Sequence, residues 1–457
     1  MWKFENYRIL KANLHCHYAQ MHLGNPLPVI ATYRKAGFDC IALTEHANQT
    51  DTSVERNISE KITKRCGNSF FVIVGKENTA RTSIRGVALT NDIVSLFIKD
   101  DVSSYDEYGN VRPHREQIEE IHKKGGIAII AHEHSSQPSK EPSKRLWTYR
   151  KCFDIDGWEI GHGLGLLEYG DGKNTSLHRE PKKVIEEGYI AVSSADSHTD
   201  FQAYSPGEAT YTYIFTKELS MEGIKNALMN RQTVAIVHGY PYGKKRWQDV
   251  YKEWKAKEYK KLKEKKIDSD KKITARKLFY LSNNEKIEFV KKLKRYYQTV
   301  NISHQYYISE KNIISLFFAI SDTTEQLKQI LQEADCWLSY RYYWILEYQF
   351  QEKQRKQIHY LLKSPDEKNP EYWGKIARCY YLAQEHKKAL QYYRKAEKMG
   401  ADTDDFYIGY CQVLFRDDPV KTLSLCIKGL QKYPDNLYLK AQGRIMEKLV
   451  RNVRNKV

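Results

Sequence analysis

Over the first 240 residues, short apolar runs alternate with polar or amphipathic stretches, the pattern of parallel strands separated by helices. The runs predict strands at Ala12–His15, Cys40–Thr44, Phe70–Val74, Gly86–Leu89, Ile127–Ala131, Gly157–Ile160, Ile190–Ser193 and Tyr211–Phe215. Helical patches fall between them. From Pro113 to Lys124, for example, Ile118 and Ile121 recur at helical spacing before a Lys-Gly-Gly stop. The reading is an α/β barrel over residues 1–242.

Past Gly243 the strand pattern stops. Residues 243–302 predict a basic helical linker or arm, with 20 basic against 8 acidic residues between 241 and 300. Trp247, Tyr251 and Trp254 stand there at helical spacing, with lysines on the other faces. Such a helix could track a nucleic-acid backbone, or it could pack its aromatic stripe on the barrel and leave its lysines solvated. Residues 303–457 predict an all-α domain, where clusters such as Tyr340, Tyr342, Tyr343 and Trp344 imply burial between helices. Near its end, Trp373, Ile376, Ala377, Tyr380, Ala389, Tyr393 and Ala396 stand at the offsets of the tetratricopeptide pattern, which this region resembles. A weaker copy begins at Phe406 and closes at Tyr433-Pro434-Asp435-Asn436. The resemblance implies packing positions and a surface for a protein partner, and no chemistry.

Composition adds three points. A chain of 457 residues is too long for one core, and its 41% apolar residues are enough to build more than one. Lys and Arg number 29 against 30 Asp and Glu in residues 1–240, and 45 against 27 in 241–457, so the net charge of +17 belongs to the second half. The eight cysteines form no CxxC pair, which argues against a disulfide framework and against a cysteine zinc knuckle. With no apolar run long enough for a membrane span and no cleavable leader in MWKFENYRIL, the expectation is a cytoplasmic protein without a membrane partner.

Histidines and acids cluster just past the apolar runs. His15 and His17 close the first run, Glu45 and His46 follow the second, and Glu77 follows the third. His132 and His134 follow Ile127–Ala131, Glu159 lies in the next run, and Asp196 and His198 follow the run ending at Ser193. In a parallel barrel the strand carboxyl ends meet at one rim, so these residues converge there. Imidazoles with carboxylates suit zinc, manganese or iron, and a pair of such ions can activate water against a phosphoryl group. His-x-His in an extended segment turns both rings to one side and Cys16 away. For His114, His122, His162, His178 and His238 the reading is an ordinary surface or core histidine. His134 and Glu159 could equally orient ligands.

Five ordered stretches, Asn13-Leu14-His15-Cys16-His17, Ile41 to His46, Gly75-Lys76-Glu77, Gly125 to His132 and Ser194 to His198, resemble the polymerase and histidinol phosphatase (PHP) superfamily over residues 8–240. Ile224 to Leu228 with Arg231-Gln232-Thr233 resembles its closing helix and turn. The resemblance implies a distorted seven-stranded β/α barrel and metal-dependent phosphoester hydrolysis. It makes His15, His17, His22, His46, Glu77, His132, Asp196 and His198 metal ligands, with Glu77 a bridge, and Glu77, His132 and Asp196 the catalytic core. Two divalent cations are implied, or three, although Arg85-Gly86 stands where many members carry a histidine. Arg81 and Arg85 are expected on the substrate phosphate, because a guanidinium matches phosphate oxygens bidentately. The basic second half favours a nucleotide, oligonucleotide or nucleic-acid end as substrate. The rival readings are a catalytically silent, metal-stabilised adaptor and a nucleic-acid-binding factor.

Overall fold

The computed structural model describes residues 2–47, 49–84, 86–133, 143–162, 178, 180–198, 210–237, 240–264, 350–351, 353–363 and 365–454. Arg85, His134, His238, the arm beyond residue 264 and the aromatic cluster at 340–344 lie outside the described residues.

One eleven-stranded sheet curls into a barrel. Its strands are β1 (Trp2–Phe4), β2 (Tyr7–Asn13), β3 (Cys40–Leu43), β4 (Phe71–Ile84), β5 (Val87–Leu96), β6 (Ile127–Ile130), β7 (Gly157–His162), β8 (Ile190–Ser194), β9 (Thr210–Thr216), β10 (Thr233–Val237) and β11 (Tyr240–Gly243). The order is β11-β10-β9-β2-β3-β4-β5-β6-β7-β8, with β1 on β2. Seven strands, β2, β3, β4, β6, β7, β8 and β10, run the same way, the first six as the alternation predicts. The departures are antiparallel. β4 and β5 form a long hairpin from Gly75↔Leu96 to Ile84↔Val87, and β9 enters antiparallel to β2. Thr233, the last residue of the expected closing turn Arg231-Gln232-Thr233, opens a full strand, β10, between β9 and β11.

The β8 edge meets β9 and β10 through side chains. Thr212 Oγ1 accepts from Ser193 N at 2.8 Å and donates to Ser193 O at 2.9 Å, and Thr233 Oγ1 donates to Ala191 O at 3.2 Å. At the carboxyl end the backbone itself closes the seam, where Cys16 bridges Ser197 in parallel and His17 N donates to Ser197 O at 2.7 Å.

Alternation sorts the core. Leu10, Ala12, Cys40, Ala42, Phe71, Ile73, Ile127, Ile129, Ile190 and Val192 fill the interior. The opposite faces, such as Ile9, Ile41, Leu43, Val72 and Tyr213, pack on helices α2 (Leu27–Lys35) and α3 (Thr52–Cys66) and on the helices of the second half. Lys11 interrupts the first apolar run yet is buried, because its ammonium lies over the rings of Phe38 and Tyr211 at 4.1 and 4.4 Å.

Helices α4 (His114–Lys123), α5 (Ser143–Thr148), α6 (Pro181–Glu186) and α7 (Met221–Met229) follow along the barrel, and helix α8 (Lys245–Glu264) resolves the ambiguity of its aromatic stripe. Trp247 stacks on Phe215 and meets Tyr7 edge-on, and Trp254 packs edge-on to Tyr213. All three stripe residues are buried, so they serve packing, while Lys245, Lys252 and Lys257 face water.

The last ninety residues form helices α9 (Pro370–Leu382), α10 (His386–Lys398), α11 (Asp404–Leu414), α12 (Pro419–Lys432) and α13 (Leu437–Arg454). Asn369, Thr403 and Asp418 cap α9, α11 and α12 through their side chains. All seven residues at the repeat offsets, from Trp373 to Ala396, are buried. The core of these helices is continuous with the layer around α2 and α3. Among the described residues, no helix is long and apolar enough to cross a membrane.

Candidate metal centre

Each parallel strand delivers its polar residues where its apolar run ends. His15 and His17 follow β2, His46 follows β3, His132 follows β6, and Asp196 and His198 follow β8. Glu77 lies inside β4, which continues past the rim as a hairpin arm. His132 (φ 26°) and Asp196 (φ 48°) both hold positive φ, a strained backbone that turns their side chains inward.

The side chains meet. Glu77 Oε1 lies 2.8 Å from His132 Nε2 and 3.3 Å from His15 Nε2, while its Oε2 lies 2.6 Å from His46 Nδ1 and 3.5 Å from His17 Nε2. Asp196 Oδ1 lies 3.1 Å from His17 Nε2, 3.4 Å from His15 Nε2 and 3.7 Å from His198 Nδ1. The Nε2 atoms of His15 and His17 are only 3.2 Å apart. Among the described residues, four groupings have ligand atoms all within 4.8 Å of one another: His17, His46, His198; His15, His17, Glu77; His15, His132, Asp196; and Glu77, Asp92, His132.

These separations test the fit of a cation. Donor atoms about 2.1 Å from one ion stand about 3.0–3.4 Å from each other in octahedral or tetrahedral geometry. The observed 3.1–3.5 Å spacings around His15 and His17 match that edge. Among the described residues, Glu77 Oε2 accepts no hydrogen bond despite its close neighbours, and neither nitrogen of buried His162 has a hydrogen-bond partner. Buried acceptors and imidazoles left in this state fit divalent metal ions.

Of the expected ligands, His15, His17, His46, Glu77, His132, Asp196 and His198 are brought together. His22, at the end of α1 (Ala19–His22), belongs to none of the four groupings. Arg81 lies four residues beyond Glu77 on the same face of β4 and is exposed.

Two residues escaped the sequence reading. Asp92 lies on β5, opposite Thr79, with Oδ2 3.9 Å from His132 Nε2. Because β5 is antiparallel, it reaches the rim with the residue before its buried run, so a search past each run overlooks it. His162 was read as ordinary and is indeed buried, but its Nδ1 lies 3.8 Å from Asp196 Oδ2. A register irregularity between Glu159 and Gly161 shifts the alternation of β7, so residues three apart both face the cluster.

Carboxylates behind the cluster fix its geometry. Glu45 accepts from Tyr18 N and Ala19 N at 2.9 and 2.8 Å and lies 3.2 Å from His17 Nδ1. Glu159 accepts from His132 N at 2.9 Å and lies 3.5 Å from His15 Nδ1. Beneath them Lys76, wholly buried, donates to Glu55 Oε1 at 2.8 Å, and Tyr18 and Thr50 donate to the same oxygen. Lys76→Ala is expected to cost about 3–5 kcal/mol, because Glu55 would remain buried without its cation. Chemical denaturation checks this, and a loss below about 1 kcal/mol would show that Glu55 finds another partner or takes up a proton.

Electrostatics in the cation-free protein follows from this crowding. Burial works against charge on His17 and His132, but the hydrogen bonds they donate to Asp196 and Glu45, and to Glu77, outweigh it and push them up to about 9 and about 10. Burial likewise opposes charge on His15, and Asp196, Glu77 and Glu159 overcome it to raise the group. Glu77 and Asp196 are held well below the usual carboxylate range, burial being outweighed by His46 and His15 for Glu77 and by His15 and His17 for Asp196. Burial, with the neighbouring charge of His132 or His17, presses His162 and His198 down to about 4. Protons on the three raised histidines thus occupy positions a cation would take. Manganese binding at pH 7 is expected to release about three protons and to tighten as pH rises toward 9. Calorimetry in buffers of different ionisation enthalpy measures this, and binding without proton release would show that these nitrogens do not ligate.

No family model and no curated protein matches the chain. Among solved structures, the chain is similar to a two-domain protein of Bacteroides vulgatus ATCC 8482, described as containing a predicted PHP-like metal-dependent phosphoesterase. The identity is 20% over 55% of this chain and 71% of the other, with a TM-score of 0.41. It is also similar to a candidate metal-dependent phosphoesterase of Bifidobacterium adolescentis ATCC 15703, at 11% identity over 41% of this chain and 88% of the other, with a TM-score of 0.32.

Proposed function

We propose that the barrel is a metal-dependent phosphoesterase that hydrolyses a phosphate ester at the rim cluster. The observation that carries the reading is the set of 3.1–3.5 Å separations among His15, His17, Glu77 and Asp196, which match the spacing of donor atoms around a shared cation. His15, His17, His46, Glu77, His132, Asp196 and His198 would hold two divalent ions, with Asp92 and His162 completing the ring. Manganese, zinc and iron all suit this mixed set of imidazole and carboxylate. When bound, such ions supply Lewis acidity to the phosphoryl group and acidify water.

The chain's own residues do the rest. Glu77 presents one oxygen toward His15 and His132 and the other toward His17 and His46, the arrangement of a bridge between two ions. Glu45 and Glu159 hold His17 and His15 in fixed orientation from behind. Arg81, on the Glu77 face of the hairpin arm, would meet a phosphate that overhangs the rim.

The test is hydrolysis of 4-nitrophenyl phosphate by the full chain with added manganese, with Asp196→Ala as the control. The reading requires turnover that the control lacks. Tight manganese binding without turnover on aryl phosphates, nucleotides, oligonucleotides or sugar phosphates would favour a silent, metal-stabilised adaptor instead.

A further inference from the structure

The helical unit grips the loop that leaves His17. Gln412 of α11 is buried and donates through Nε2 to the carbonyl of Ala19. Its Oε1 accepts from Arg378 of α9 at 2.7 Å, and Arg378 also donates to Met21 O at 2.9 Å. Side chains of α9 and α11 thus hold two carbonyls of α1 (Ala19–His22). Leu23, which closes α1, packs in the same apolar layer as Tyr381 of α9 and Tyr438 of α13.

The other side of the same loop holds the carboxylate that orients His17. Tyr18 N and Ala19 N donate to Glu45 Oε2 at 2.9 and 2.8 Å, and Glu45 Oε1 lies 3.2 Å from His17 Nδ1. Ala19 is therefore held by its N–H from the barrel and by its carbonyl from the helical unit. A helix of four residues without a side-chain cap does little to hold its own shape. Ala19 O also accepts from Gly24 N at 3.1 Å, but that bond closes the loop on itself and ties it to neither neighbour. Gln412 and Arg378 press on the loop from one side, and Glu45 passes its position to the His17 ring on the other.

We propose that Gln412 and Arg378 are positioning residues of the metal centre, which act through the backbone of α1 and through Glu45 to hold the His17 imidazole where a cation needs it. The inference rests on the metal-dependent reading of the barrel and deepens it, because the geometry of the cluster then depends on the second half of the chain.

The experiment titrates the full chain, first stripped of metal, with manganese by calorimetry, beside denaturant unfolding of the same preparations. Gln412→Glu keeps the size of the side chain and its partner Arg378 but removes the donor to Ala19 O. Arg378→Met keeps an apolar stem beside Tyr381 and removes the donors to Met21 and Gln412. Each is expected to weaken manganese binding by about 10-fold to 100-fold, the usual effect of losing groups that orient a ligand. Hydrolysis of 4-nitrophenyl phosphate should return toward the wild-type kcat once manganese saturates. Lys421→Ala, which removes an ion pair to Glu397 within the helical unit, should leave manganese affinity unchanged whatever it does to the unfolding midpoint. Wild-type manganese affinity in both Gln412→Glu and Arg378→Met, or an equal loss in Lys421→Ala, overturns the inference and leaves the phosphoesterase reading intact. A wild-type chain that binds no manganese overturns both.

Discussion

Glu77→Gln is expected to leave the barrel folded, to lower manganese stoichiometry by about one ion per chain, and to reduce phosphoester hydrolysis by about 10³-fold or more, equivalent to about 4 kcal/mol of transition-state stabilisation. Glutamine keeps the volume of the side chain but offers one carbonyl oxygen where the carboxylate offers two. In the structure those two oxygens serve different histidines, Oε1 facing His15 and His132, and Oε2 facing His17 and His46. Removing one acceptor therefore uncouples the two sides of the cluster. Elemental analysis and steady-state kinetics on the same preparation measure both effects. Full stoichiometry with wild-type turnover would mean that Glu77 does not bridge.

The rim residues were legible because parallel strands end their apolar runs at a common rim. His15, His17, His46, His132, Asp196 and His198 all follow such runs, and alternation explains why Cys16 turns outward while its histidine neighbours turn in. Where the local geometry departs from a regular parallel strand, the reading falters. Asp92 precedes its run because β5 is reversed, and His162 is displaced by an irregularity that the sequence marks only with Gly161. A Cβ on Gly161 would lie 2.3 Å from Val237 Cγ2, which is the packing reason for glycine there. The first strand was placed too late, because Lys11 looks polar until Phe38 and Tyr211 are seen around it.

The division into an arm and a separate helical domain reflects charge along the chain and says little about packing. Trp247, Tyr251 and Trp254 lie in the same apolar layer as Tyr372 to Tyr381 and as Val29 and Ile30 of α2. Composition alone cannot reveal which surface an aromatic stripe will cover.

Gly24→Val is expected to destabilise the protein by about 3 kcal/mol or more. Gly24 has φ +77°, a conformation that a β-branched residue reaches only with strain, and a Cβ there would lie 2.2 Å from Tyr438 Cδ2. Tyr438 is buried and belongs to α13, so the added side chain must either distort the loop after α1 or push the last helix away. Denaturant unfolding of the variant measures the loss, and limited proteolysis should show earlier cleavage in α13. Wild-type stability would mean that the helical unit does not rest on this loop in solution.

The central claim is that the rim cluster holds divalent cations. It is tested most directly by anomalous diffraction from crystals grown with manganese, with data collected on both sides of the manganese absorption edge. The account predicts two anomalous peaks flanking the Glu77 carboxylate, each within bonding distance of imidazoles from the set His15, His17, His46 and His132. Data of good quality with no peak there, or with manganese bound only elsewhere on the molecule, would contradict it.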